Sequence, residues 1–256
     1  MEGRAQLAIP RLTPFVRGLI IVLVVSFVVE GVAETWFRLP VYMTFAVVPG
    51  PPRLASVWQV VTYVLVEPPD VRAIFGFLFG LAFLWWMLSP LEERWGPRRA
   101  AEFALIATLA AGVPAVLVGM VAGGEGAASL LQPTPLSGAM PVSLAALAAF
   151  AMTVRDGRIW FMGVLPLKAL HLLYFEIGYV TLMFLFSRDP LLLVASLGAI
   201  VAGVLYVRVM NRPRTPKPKP RAPRRTGPDL RVIRGGGTAD DDDDDESDSG
   251  GPRYLN

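Results

Sequence analysis

Residues Pro190-Leu-Leu-Leu-Val-Ala-Ser-Leu-Gly-Ala-Ile-Val-Ala-Gly-Val-Leu-Tyr-Val-Arg-Val-Met210 carry no charge until Arg208. A helix rising about 1.5 Å per residue needs about 20 mostly apolar residues to cross a hydrocarbon core of roughly 30 Å. This stretch meets that length. Five more of the same kind precede it, at 16–37, 71–91, 100–122, 137–154 and 160–186. The segment 54–66 is apolar but short, and Glu67-Pro68-Pro69-Asp70 follows it. It is expected to be a buried or interfacial helix inside the first loop. The expected fold is an all-α membrane protein with a bundle of six transmembrane helices.

Composition agrees. The chain has 256 residues, 54% of them hydrophobic, and a mean hydropathy of +0.50. Its charge is confined to the ends and to short patches between apolar runs, which is the pattern of a polytopic membrane protein. The absence of cysteine excludes disulfides, thiolate metal sites and cysteine nucleophiles. A single histidine, His171, is too few for a metal centre, and no phosphate-binding loop or nucleic-acid motif is present. No cofactor, metal or nucleic-acid partner is expected, and the sequence leaves the oligomeric state open.

Charge sets the expected orientation. Arg4, Arg11 and Arg17 precede the first span, Arg94, Arg98 and Arg99 follow the second, and Arg155 and Arg158 follow the fourth. Arg208, Arg212, Arg214, Lys217, Lys219 and Arg221 close the sixth. The opposite loops hold Arg38, Arg53, Arg72 and Arg188. The positive-inside rule then places both termini in the cytoplasm, which needs an even number of crossings. A cleaved signal peptide over 1–33 would leave an odd number. Arginine outnumbers lysine 21 to 3, the bias of a GC-rich bacterial genome, so the expected location is a bacterial cytoplasmic (inner) membrane. Residues 1–15 form a short N-terminal segment and 16–210 the membrane domain. Residues 211–256 are a disordered tail, Pro/Arg-rich and then Asp-rich through Asp240–Asp245.

Five local signatures fall in order on these spans. Trp58-Gln59-Val60-Val61-Thr62 resembles the Trp-Arg-x-x-Thr element before the second span of rhomboid intramembrane proteases and of their inactive relatives, the Derlins. Leu91-Glu92-Glu93-Arg94-Trp95-Gly96 is similar to the element that closes that span in both groups. Leu136-Ser137-Gly138-Ala139 resembles the Gly-x-Ser-Gly stretch of rhomboids. Phe161-Met-Gly163-Val-Leu-Pro166-Leu-Lys168-Ala169 resembles the opening of the fifth span in the wider superfamily, and Leu197 to Gly203 the small-residue sixth span. The resemblance covers roughly residues 16–210.

It implies a serine-protease architecture from which parts are missing. Ser137 stands where the catalytic serine would be, and Ser196 where a rhomboid carries its histidine. Gly76 and Gly80 fall where a His and an Asn would hold the oxyanion, Pro135 replaces the first glycine of the serine motif, and Gln59 replaces an arginine. A serine hydroxyl is a poor nucleophile without an adjacent base. The resemblance therefore implies a Derlin-like pseudoprotease, lacking the catalytic histidine, that binds transmembrane segments of client membrane proteins. The alternative is an active intramembrane serine endopeptidase in which Ser137 uses a displaced base, His171 or less readily Lys168. A transporter is disfavoured, because no internal repeat is visible.

Ser137-Gly138-Ala139 has a second reading, that of small residues letting helices approach closely. Gly76 with Gly80, and Gly198 with Ala202, each four apart, read the same way. Ionisable residues in a membrane are candidate sites by default. Lys168 and His171 share a helix face, Glu176 lies further round it, and with Trp58 and Thr62 these are the residues expected to meet a client. Glu30 and Glu34, one turn apart on the first span, are expected to reach the interface, and Trp85-Trp86 to anchor in lipid or packing.

Overall fold

The computed structural model describes residues 10–51, 56–68, 70–122, 131–154, 158–161 and 165–211. The tail from 212 onward, Arg4, Arg53 and Arg155 lie outside them. Helix α1 (Pro14–Phe37) leads into a loop bearing α2 (Val41–Phe45) and α3 (Ser56–Thr62), the latter continued by a 3-10 turn at Tyr63–Leu65. Next come α4 (Val71–Trp95), α5 (Pro97–Ala122) and α6 (Met140–Thr153). A hairpin of β1 (Arg158–Phe161) and β2 (Leu165–Lys168) leads to α7 (Ala169–Ser187) and α8 (Pro190–Met210).

Five of these helices, α1, α4, α5, α7 and α8, are long and apolar enough to cross a membrane. The span expected at 137–154 is a helix of 14 residues, about 21 Å long. It differs from the others in a second way: Pro141 to Ala149 are buried without a break. A helix apolar on every side belongs inside a protein, and α6 is enclosed by α4, α5, α7 and α8. Lipid touches little of it, so its length need not match the bilayer. The span expected at 160–186 begins later, at Ala169. Pro166 has no amide to donate and cannot occupy a helix interior; it pairs instead with Trp160 in the antiparallel hairpin, where Arg158 faces Lys168. The described residues are mostly helical, as expected, with these two short strands between α6 and α7.

Helix ends follow the sequence. Pro14, Pro97, Pro141 and Pro190 lie in the first turns of α1, α5, α6 and α8, where the missing amide is one the helix leaves unpaired anyway. Gly96, at φ +85°, turns the chain between α4 and α5 while its amide returns to the Glu92 carbonyl at 2.7 Å. The amide end of α1 is capped from another helix. Glu92, buried near the end of α4, accepts from the Phe15 amide at 2.8 Å, the Val16 amide at 2.9 Å and the Thr13 hydroxyl. At the same end Trp95, Phe103 and Tyr206 stack edge to face or tilted, with centroids 5.3–5.5 Å apart, and so join α4, α5 and α8.

At the opposite end, Asp189 caps α8 by accepting from Leu191 (3.0 Å) and Leu192 (3.4 Å), and also accepts from the Thr134 hydroxyl. The Gln132 amide donates to the Arg188 carbonyl at 3.0 Å. Together these fasten the stretch before α6 to the α7–α8 turn. Replacing Asp189 with alanine should cost about 1–3 kcal/mol. The checks are a lowered thermal midpoint in detergent and faster proteolysis within 131–136; an unchanged cleavage pattern would contradict the fastening role.

Candidate functional site

Ser137 sits in the non-helical stretch just before α6. That stretch is held on several sides. Leu136 forms an antiparallel bridge with Val47 of the first loop, with N···O distances of 2.9 and 3.0 Å, and the Gly138 amide donates to the Tyr63 carbonyl at 2.9 Å. Gly138 adopts φ +85°, a conformation that strains other residues. The missing side chain also makes room. A Cβ on Gly138 would lie 2.6 Å from Oε1 of Glu67.

Glu67 is a residue that motif reading passed over. Its carboxylate accepts from the backbone amide of Ala139, immediately before α6, where the helix dipole favours an anion. Its own amide donates to Oε2 of Glu30 at 3.0 Å. Burial raises the Glu67 pKa to about 7, and the Ala139 hydrogen bond opposes that rise. Glu30 is buried, and its other oxygen, Oε1, has no hydrogen-bond partner among the described residues. This corrects the expectation that Glu30 reaches the interface. Glu34 instead caps α2, accepting from the Tyr42 amide at 2.6 Å.

The Ser137 hydroxyl meets Tyr42. Their oxygens are 3.4 Å apart, and the phenol is also 3.4 Å from the Pro135 carbonyl. Burial raises the pKa of Tyr42 above its ordinary value; the Ser137 contact lowers it, while Glu30, Glu67 and Glu34 raise it further. The phenol is therefore held in its neutral form.

The other expected residues are dispersed. Ser196 is buried on α8, roughly 10 Å along the helix from Asp189. His171 is the third residue of α7 and exposed, beside exposed Lys168. Helix α7 runs back along α6, so that Val180 packs with Leu144 and Ala148. Ser137 and His171 consequently lie at opposite ends of α6, about 20 Å apart. The displaced pair Ser137–His171 does not form. Its expected position, deep in the span, is corrected by the late start of α7.

Glu176 is 1% exposed, and both its carboxylate oxygens lack a hydrogen-bond partner among the described residues. Trp58 and Thr62 have work inside the first loop. The Trp58 indole donates to the Thr44 carbonyl at 3.0 Å, Thr62 to the Phe45 carbonyl at 3.0 Å, and Gln59 to the Met43 and Thr44 carbonyls. They satisfy the free carbonyls that end α2.

The small residues divide. A Cβ on Gly198 would collide with the Ala110 carbonyl of α5, and one on Gly203 with the Ala145 carbonyl of α6, while Ala202 is buried beside it. A Cβ on Gly76 or Gly80 would meet nothing within 4 Å. The close packing expected at Gly76 and Gly80 is corrected: Gly76 is itself exposed, and so are Phe75 and Phe79 next to the two glycines. Gly203 was missed because spacing alone cannot tell which small residues face a neighbouring carbonyl.

No curated protein matches the chain. A family model described as eukaryotic integral membrane protein (DUF1751) matches residues 17–219. That description overturns the bacterial inner-membrane location, which rested on the excess of arginine over lysine; codon composition is not tied to one lineage. The membrane setting itself stands. With well over half its length matched, the chain belongs to the family of eukaryotic integral membrane proteins DUF1751.

Proposed function

We propose that this chain is a rhomboid-like protein of six crossings, α6 being the short enclosed one, that binds transmembrane segments of other membrane proteins without cleaving them. One observation carries the reading: the Glu67 carboxylate occupies the amide of Ala139 and the space over Gly138, next to Ser137. Acyl transfer to Ser137 needs a base for its proton and donors for the developing oxyanion. The group in contact with the hydroxyl is Tyr42, a phenol whose raised pKa leaves little phenolate at neutral pH. The Gly138 amide is taken by the Tyr63 carbonyl and the Ala139 amide by a carboxylate, whose charge opposes a second negative charge. Ser196 cannot serve as a base.

Client binding is supported by what the bundle leaves open. Helices α1 and α7 present apolar flanks, including Val25, Val28, Val29, Phe175, Leu185 and Phe186, all exposed. The loop 38–70, held together by Trp58, Gln59 and Thr62, lies at the same end as Ser137. Breaking that loop with Thr62→Ala and Trp58→Phe together should reduce photo-crosslinking to co-purifying membrane proteins several-fold; undiminished crosslinking would count against the loop.

The catalytic half is tested with a fluorophosphonate probe on the detergent-purified protein, an active rhomboid serving as positive control. The wild type should label no more than Ser137→Ala. Labelling that disappears in Ser137→Ala would instead favour the endopeptidase reading, with Tyr42 as the group to mutate next.

A further inference from the structure

We propose that Glu176, in the seam where α7 meets α6 and α8, is a binding site for one basic side chain, a lysine or arginine within the transmembrane segment of a bound membrane protein. The site rests on the client-binding reading and names the chemistry such a client carries.

Helix α7 is held to the bundle by a narrow strip. Among its described side chains only Glu176 and Val180 are buried; Phe175 and Ile177, on either side of the acid, are exposed, and Leu172, Leu173 and Tyr179 are half-buried. Glu176 stands three residues after Leu173 and four before Val180, so the three share one face of the helix. That face meets Leu144 and Ala148 of α6 and Ile200 and Val204 of α8. None of these has a polar side chain, and their backbone amides serve their own helices. Both Glu176 oxygens are left without a partner among the described residues. Lys168 and His171, eight and five residues earlier on the chain, are exposed, and His171 lies roughly 140° round the helix from the acid. Among the described residues no side-chain hydrogen bond joins α7 to α6 or α8; Thr181 donates to the Ile177 carbonyl of its own helix at 2.8 Å.

An acid in this place works against the packing around it. A buried polar group without a partner is costly whether ionised or protonated, and more so in hydrocarbon, where no water can stand in. A leucine would complete the apolar strip. What a carboxylate offers instead is a charged acceptor, and in a low-dielectric setting the partner it holds most strongly is a cation. Glu176 lies about 10 Å beyond the start of α7 and about 17 Å short of its end. A cation at that depth is carried by another membrane-spanning segment. Its approach is short, because the covering strip is one side chain wide: a helix resting on Phe175 or Ile177 is one residue from the acid. A basic side chain inside a membrane is itself unfavourable until paired, so the contact satisfies both groups at once.

The test reconstitutes the full chain in liposomes with a synthetic transmembrane helix and follows association by fluorescence energy transfer. Two helices are compared: a leucine–alanine host with one central lysine, and the same host with leucine in its place. The wild type should hold the lysine helix about tenfold more tightly than the leucine helix. Glu176→Leu should lose that preference and keep its affinity for the leucine helix. Equal affinity of the wild type for both helices overturns the proposal and leaves client binding standing. A preference that survives in Glu176→Leu also overturns it, since another group would then receive the lysine. If neither helix associates, the proposal and the client-binding reading fall together. Thermal unfolding without any helix shows whether the variant folds: Glu176→Leu should melt above the wild type. A lower midpoint would mean that the carboxyl already has a partner within the chain, and would overturn the proposal as well.

Discussion

Gly198→Val should separate α5 from α8 and lower stability by about 3 kcal/mol, among the largest effects of any single change in the bundle. A Cβ at this position lands on the Ala110 carbonyl, with the Ala110 carbonyl carbon only 3.1 Å away and Pro114 Cγ at 3.7 Å. The obstacle is backbone on one side and a rigid ring on the other, so no flexible side chain can swing aside. Helix α8 uses Gly198 against α5 and Gly203 against α6, and forcing one contact apart also opens the other. Gly198→Ala should already cost a substantial part of the effect. Gly76→Ala and Gly80→Ala, which meet open space, should be close to neutral. Thermal unfolding of the four variants in the same detergent decides the matter; equal midpoints for Gly198→Ala and Gly76→Ala would refute the packing argument.

Glu92→Ala is expected to cost about 3–5 kcal/mol, because three donors lose one acceptor at once. Phe15 and Val16 donate first-turn amides that no residue inside α1 can take, and Val16 is fully buried. An unpaired amide there cannot turn to water. Glu92→Gln keeps a carbonyl oxygen but loses the charge that favours a helix amide end, and should cost about 1–2 kcal/mol. The order wild type, Gln, Ala in thermal midpoint, together with faster exchange at residues 14–18 in Glu92→Ala, is the expected result. Fraying confined to the end of α4 would show that Glu92 serves its own helix instead.

Much of this fold could be read from the chain because hydrocarbon imposes one coarse requirement, length of apolar sequence, and α1, α4, α5, α7 and α8 meet it. Within the region 54–66, too short to cross, the described residues from Ser56 form α3 and its 3-10 continuation, a short helix as expected. What escaped depended on finer causes. The start of α7 was placed some nine residues early, because the apolar content of 160–168 suits a strand as well as a helix and Pro166 decides between them. Ser137 could be found from its flanking motif. Its setting could not: the contacts that define it join residue 137 to 42, and 67 to 138 and 139, through a loop whose path no periodicity records. In the sequence Glu67 is only the first residue after a short apolar segment, with two prolines behind it. The chemical clue was Gly138, a residue without a Cβ just before a helix, which leaves room for another group on the amide end.

The cap on α1 has a consequence for how the chain is made. The carboxylate that completes the first helix is encoded 76 residues after the amide it receives. At about 5–20 residues per second of synthesis, α1 waits roughly 4–15 s before its partner exists. During that interval its amide end must rest on water, lipid headgroups or an assisting protein. Helix α1 is therefore finished only when the end of α4 has been made.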